Sequence, residues 1–161
     1  GPTRAQHGIP SYGPRPHLLE LIWHEFGHAF ANDLAGTYSE ELLQRSALYL
    51  PLAEPMRSMG YTRWIDCANE HVIRAVTARL SAQVFSPEQG RQALREDAER
   101  GFRYVHTISR RLVEYEQNRT IYPNFSHFYP RIVETFDEFE RPKRPKRPRP
   151  PVDEKTRPEP D

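Results

Sequence analysis

The chain has 161 residues, enough for one domain around one modest core. Its formal net charge of +1 gives the body no electrostatic drive toward nucleic acid or anionic membranes. A single cysteine, Cys67, excludes an internal disulfide framework and a Cys-based structural zinc site, and no apolar run reaches the length of a bilayer span.

Residues 1–16 hold four prolines and three glycines and are expected to form an irregular arm. The opening Gly1-Pro2 resembles the scar of a protease cleavage, so the lack of a signal peptide carries no weight for compartment. A helix follows from about His17 to Leu34, with Gly36 as a C′ glycine. It carries His24-Glu25-Phe26-Gly27-His28. Residues four apart share a helix face, so His24 and His28 can present two imidazoles to one metal ion. Glu25 lies beside that face and can act as general base on a metal-bound water. Leu21, Ala31 and Ala35 extend the face, and the two alanines leave room for a third ligand and substrate. The opposite stripe, Leu19, Ile22, Trp23, Phe26 and Phe30, is apolar and is expected to bury the helix. The motif is short and also arises by chance on packed helices, where a histidine is simply hydrogen-bonded core. Its mid-helix position, apolar back and small-residue front favour the metal.

Thr37-x-x-Glu40 has the form of a capping box for a short helix to about Leu50, and Pro51 and Pro55 are expected to break the stretch that ends near Gly60. A long helix then runs from about Thr62 to Val84, with Ile65, Ala68, Val72, Val76 and Leu80 near helical spacing. Ser86-Pro87 reads as an N-cap and N1 proline that start a polar helix to about Arg100. Phe102 to Glu116 is amphipathic. Residues 120–130, TIYPNFSHFYP, read as an aromatic loop, and Pro130 opens a last helix to about Phe139. No convincing strand pair is present, so residues 17–140 are expected to form one mainly α domain. Residues 142–161 carry seven Lys/Arg and four Asp/Glu, which leaves the rest of the chain at −2. Proline that dense gives the Pro/Arg/Lys-rich tail, residues 141–161, an extended or disordered character. Its cations could contact an anionic surface or partner, although a solvated extension is the more ordinary reading.

A catalytic zinc needs three protein ligands and an open position. No histidine follows His28 at the spacing of the metzincin pattern; residues 29–36 read AFANDLAG. The best donors lie in Asp66-Cys67-Ala68-Asn69-Glu70-His71, on the long helix. Asn69-Glu70 downstream of His-Glu-x-x-His resembles the gluzincins, the thermolysin-like clan of zinc metallopeptidases. The run WHEFGHAFAN…YTRWIDCANEHVIRA…GFRYV…YPNFSHFYP is similar to an uncharacterised bacterial family with a predicted zinc-peptidase domain, over most of residues 18–139. His24-Glu25-Phe26-Gly27-His28-Ala29 with a distant Glu also resembles the lethal-factor-like peptidases. The resemblance implies a zincin-like helical domain with Glu70 as third zinc ligand; His71 is the next choice. Two departures stand out. The 42-residue gap from His28 to Glu70 is longer than in thermolysin. Arg74 stands where thermolysin-type sequences have an aspartate supporting a zinc histidine, so that support is expected from Asp33 or Asp66. The plain alternative for Glu70 is an i,i+4 pair with Arg74 on a solvated face. Zincins also commonly place a β-sheet before the motif helix, whereas only 23 residues precede His24 here. Either an upstream subdomain belongs to the fold, or this is a compact helical core.

Peptide hydrolysis further needs a donor for the oxyanion formed on the carbonyl. Tyr61, Tyr104, His106, Tyr122, His127 and Tyr129 are candidates. The aromatic loop favours Tyr129 and Tyr122, against the ordinary packing role of such rings. The resulting expectation is a zinc metallopeptidase acting on peptide or protein, with His24, His28 and Glu70 holding zinc and Glu25 as base. The alternatives are a non-catalytic zincin-like interaction domain that binds a protein partner, and a helical binding module without metal.

Overall fold

In the computed structural model of the chain, residues 5–6, 9–10 and 15–140 are described. The proposed tail and most of the N-terminal arm lie outside them. Within the arm, β1 (Ala5–Gln6) pairs antiparallel with β2 (Ile9–Pro10). The remaining regular structure is helical: α1 (Arg15–Thr37), α2 (Ser39–Leu43), a 3-10 helix (Ser46–Leu52), α3 (Ala53–Ser58), α4 (Trp64–Val84), α5 (Pro87–Glu99), α6 (Val105–Gln117), α7 (Phe125–Thr135) and α8 (Asp137–Glu140). The fold is mainly α, as the sequence pattern indicates.

α4 is the axis. It buries twelve residues on several sides, including Trp64, Cys67, Glu70, His71, Val72 and Ala75, as expected of a helix wrapped by others. α1, α2, the 3-10 helix, α5 and α6 all pack on it. Two glycines set how closely. A Cβ on Gly27 of α1 would stand 3.0 Å from Ile73 Cγ2 of α4. A Cβ on Gly90 of α5 would stand 2.5 Å from Ala82 Cβ and 2.7 Å from the Ala78 carbonyl oxygen. Both neighbours of α4 therefore lie nearer its backbone than ordinary side chains permit. The core continues below in Tyr104, Phe102, Ile108, Phe128, Ile132 and Phe136. Its polar edges are satisfied in place: Trp64 Nε1 donates to the Leu42 carbonyl, and the Tyr104 hydroxyl donates to the Leu48 carbonyl.

Several boundaries differ from the sequence reading. α1 turns its small residues inward: Ala31 and Ala35 are buried, whereas Ile22, Phe26 and Phe30 face outward, the two phenylalanines 65% and 69% exposed. The apolar stripe thus does not bury the helix. Small residues on the inward face let α1 lie close against α4, which brings the His24 and His28 imidazoles to Glu70. Gly36 does not end α1, which runs through to Thr37; the left-handed glycines among the described residues are Gly60 and Gly101. Thr37 is not a capping residue for the next helix, because its hydroxyl donates back to the Asp33 carbonyl. Pro51 and Pro55 do not interrupt the helical path. Pro51 sits in the 3-10 helix, and Pro55 in the first turn of α3, where a missing N–H goes unused. The aromatic segment is irregular only over residues 120–124; from Phe125 on it is helix. Asn124 caps it by accepting from the His127 backbone N–H, so α7 starts at Phe125 and carries Pro130 inside. Ser86 and Pro87 start α5 as expected, with Ser86 Oγ accepting from the Gln89 N–H.

Candidate metal centre

The close approach of α1 to α4 brings three ligating side chains together. His24 and His28 lie on the face of α1 that holds Gly27, and Glu70 comes from α4. One ligand atom from each lies within 4.8 Å of the others. His24 Nε2 is 3.3 Å from Glu70 Oε1, and His28 Nε2 is 3.5 Å from Glu70 Oε2. The group could hold a metal ion.

The surroundings suit that role. Glu70 is 1% exposed, yet neither of its carboxylate oxygens accepts a hydrogen bond among the described residues. A buried carboxylate without such partners is costly unless a cation meets it. Burial holds the His24 imidazole below its usual pKa despite the opposing pull of Glu70, which favours the neutral form that metal ligation requires. His28 is oriented from behind. Its Nδ1 lies 3.3 Å from Asn32 Oδ1, and the same oxygen accepts from Asn69 Nδ2 at 2.7 Å. With Nδ1–H facing Asn32, Nε2 is left as the ligating nitrogen. The support expected from Asp33 or Asp66 therefore comes from Asn32. Asp66 instead pairs with Arg63. Asn32 was legible in principle, four residues beyond His28 on the same face, and Asn69 is the first member of the Asn-Glu pair.

The Glu70–Arg74 pair also forms, with Arg74 Nε 2.8 Å from Glu70 Oε1, but it is buried rather than on a solvated face. His71, the other candidate ligand, points into the core. Its Nδ1 donates to the Cys67 carbonyl at 2.7 Å, its ring packs on Phe102 and Tyr104, and burial pushes its pKa down to about 4.

Two clefts flank the group. One, of about 370 Å³, is lined by His24, Glu25, Glu20, Arg74, Asp97 and Arg100. The other, of about 500 Å³, is lined by His28, Asn32, Tyr61, Asn69 and Glu70. Glu25 is exposed in the first, next in sequence to His24. A more apolar cleft of about 340 Å³ between α1, α4 and α6 contains none of the three ligating groups.

Of the six candidate oxyanion donors, Tyr61 is the one that lines either cleft; it lies in the second, with His28 and Glu70, and not in the one that holds Glu25. Its hydroxyl faces Glu70 and Arg74; burial, and then the Glu70 charge, raise its pKa, so it stays protonated. Tyr122 and Tyr129 are not brought to the group. Tyr129 is 1% exposed and packs on Tyr38 and Phe125, and Tyr122 lies edge-on to Phe128. Tyr129 is held inside the core by α7, and Tyr122, in the irregular segment before it, packs on that helix. Tyr104 is committed to Leu48, and His127 Nδ1 pairs with Asn124.

A family profile described as a domain of unknown function (DUF4932) matches residues 7–135. The chain belongs to that family. The match takes in α1 through α7, and with them every residue of the candidate centre. No curated protein matches the chain, and neither does any solved structure. No helix among the described residues is long and apolar enough to cross a membrane.

Proposed function

We propose that this domain is a gluzincin-type zinc peptidase, holding zinc through His24, His28 and Glu70 and hydrolysing peptide bonds in peptide or protein substrates. The observation that carries the reading is the convergence of two imidazoles on a buried carboxylate that accepts no hydrogen bond among the described residues, beside an open cleft that holds Glu25. Two nitrogens and one carboxylate oxygen make a donor set suited to zinc. The bound metal would supply Lewis acidity to the scissile carbonyl and to the attacking water. Glu25, exposed beside His24, takes the proton from that water and hands it to the leaving amine. The Tyr61 hydroxyl, kept protonated, donates to the oxyanion that develops on the carbonyl. Asn32 and Asn69 keep the His28 ring in its ligating orientation.

The test is Glu25→Gln. The variant should retain stoichiometric zinc by elemental analysis while cleavage of a mixed peptide library, read by mass spectrometry, falls by roughly 100- to 10,000-fold. Normal cleavage by that variant would remove Glu25 from the mechanism. One observation favours the second reading, a metal-bearing domain that binds a protein partner: the outward stripe of Ile22, Phe26 and Phe30. Such a domain would bind zinc in both forms and cleave nothing in either.

A further inference from the structure

Arg74 is one turn beyond Glu70 on α4, and three different contacts fix it. Its Nε lies 2.8 Å from Glu70 Oε1. Its Nη1 donates to Asp97 Oδ1 of α5 at 2.6 Å. Its guanidinium carbon sits 4.1 Å from the centroid of the Phe102 ring. Arg74 is mostly buried, and Asp97 is among the buried charged residues. The contact to Glu70 is an ion pair of poor hydrogen-bond angle, because neither Arg74 Nε nor Glu70 Oε1 has a hydrogen-bond partner among the described residues. Arg74 therefore neutralises the carboxylate without capturing it, and Glu70 Oε2 is left turned toward His28.

We infer that Arg74 and Asp97 form a clamp that holds Glu70 in its ligating position, so that metal affinity is set in part by a residue of α5 that contacts none of the ligands. The inference rests on the reading of His24, His28 and Glu70 as a metal centre. Its physical content is a division of charge. A fork-shaped guanidinium shared between two carboxylates gives each only part of its attraction. Remove Asp97, and Arg74 turns wholly to Glu70. The carboxylate is then drawn away from the histidines, and one more net positive charge stands beside the ion. Both effects weaken metal binding, so the sign is fixed. Asp97 reaches Arg74 because Gly90, two turns earlier on the same face of α5, lets that helix lie against α4.

The experiment measures zinc dissociation constants by chelator competition for wild type, Glu70→Ala, Asp97→Asn, Asp97→Glu and Arg74→Lys. Melting of each metal-free protein is recorded alongside. Asp97→Asn should weaken zinc binding by roughly 10- to 100-fold, the range for groups that orient metal ligands. Asp97→Glu, which keeps the charge, should recover most of that loss. Arg74→Lys keeps the charge but not the fork and should lose a similar factor, which covers the case in which Asp97→Asn does not fold. The visible spectrum of the cobalt(II)-loaded protein should shift in Asp97→Asn. A purely structural ion pair would instead lower the melting temperature and leave the zinc constant and cobalt spectrum unchanged, and that result overturns the clamp alone. Wild type that takes up no more zinc than Glu70→Ala overturns the metal centre itself, and the clamp with it.

Discussion

Cys67 illustrates how the core treats a reactive group. Its sulfur is fully buried on α4, and burial, followed by the charges of Glu70 and Asp66, pushes the thiol pKa up to about 12. Nucleophilic reactivity belongs to the thiolate. Iodoacetamide at mildly alkaline pH should therefore leave the folded protein unmodified and label it rapidly in denaturant; rapid labelling of the native form would contradict the burial. Tyr104, whose hydroxyl is spent on Leu48, is likewise raised to about 12 by burial first and by its neighbour Cys67 second. For both groups the folded value lies above the unfolded one, so their contribution to stability is intact below the unfolded values. It is lost as pH rises toward about 12. Denaturant melts across the alkaline range should show the midpoint falling there, and a flat profile would remove the linkage. At this level the sequence was a good guide where chemistry is local. His24, Glu25 and His28 share a helix, and their spacing alone places them on neighbouring faces. Asn32 is equally local, four residues beyond His28 on α1, whereas the places of Tyr61 and Asp97 depend on which elements meet, and nothing in a single chain's periodicity states that.

Helix starts and close approaches carry the next lesson. Ser86-Pro87 was readable because an N-cap oxygen and an N1 proline act within one turn. Asn124 has the same chemistry, but the aromatic run around it masked the cap, and with it α7. The inward face of α1 is not the one that its large apolar residues mark. The packed side is the one with Gly27, Ala31 and Ala35, where small side chains let α1 approach α4 closely. Gly90 and Gly36 separate these ideas experimentally. Gly90→Ala places a methyl against Ala82 and the Ala78 carbonyl, backbone that cannot yield cheaply, and should destabilise by roughly 1–3 kcal/mol by overpacking. Gly36→Ala meets nothing within 4 Å and lies in helical conformation, so it should be neutral or stabilising by up to about 1 kcal/mol. Guanidinium denaturation of the two variants checks both signs; equal effects would mean that the glycines of this fold are not chosen for contact.

The mainly α class was evident from hydrophobic spacing, because helical periodicity survives even where boundaries slip. The arrangement around α4 was not. It follows from contacts between segments far apart in sequence, and above all from α1 meeting α4 across the 41 residues between His28 and Glu70. α4, α5 and α6, by contrast, are consecutive and joined by short turns. That difference in contact distance has a kinetic consequence. Contacts close in sequence form at small loop-closure cost, so the three consecutive helices should associate early and α1 should dock late. The ligating group would then be completed on the native side of the folding barrier. If the group binds zinc as proposed, zinc should leave the refolding rate unchanged and slow unfolding, since an interaction absent from the transition state acts on the escape rate alone. Stopped-flow chevrons with and without zinc would show one limb moving and the other still. If zinc accelerated refolding instead, α1 would already be docked at the barrier. On the proposed reading, with the centre closed last, a bound metal would act as a latch on the native state, lengthening its lifetime without guiding the chain toward it.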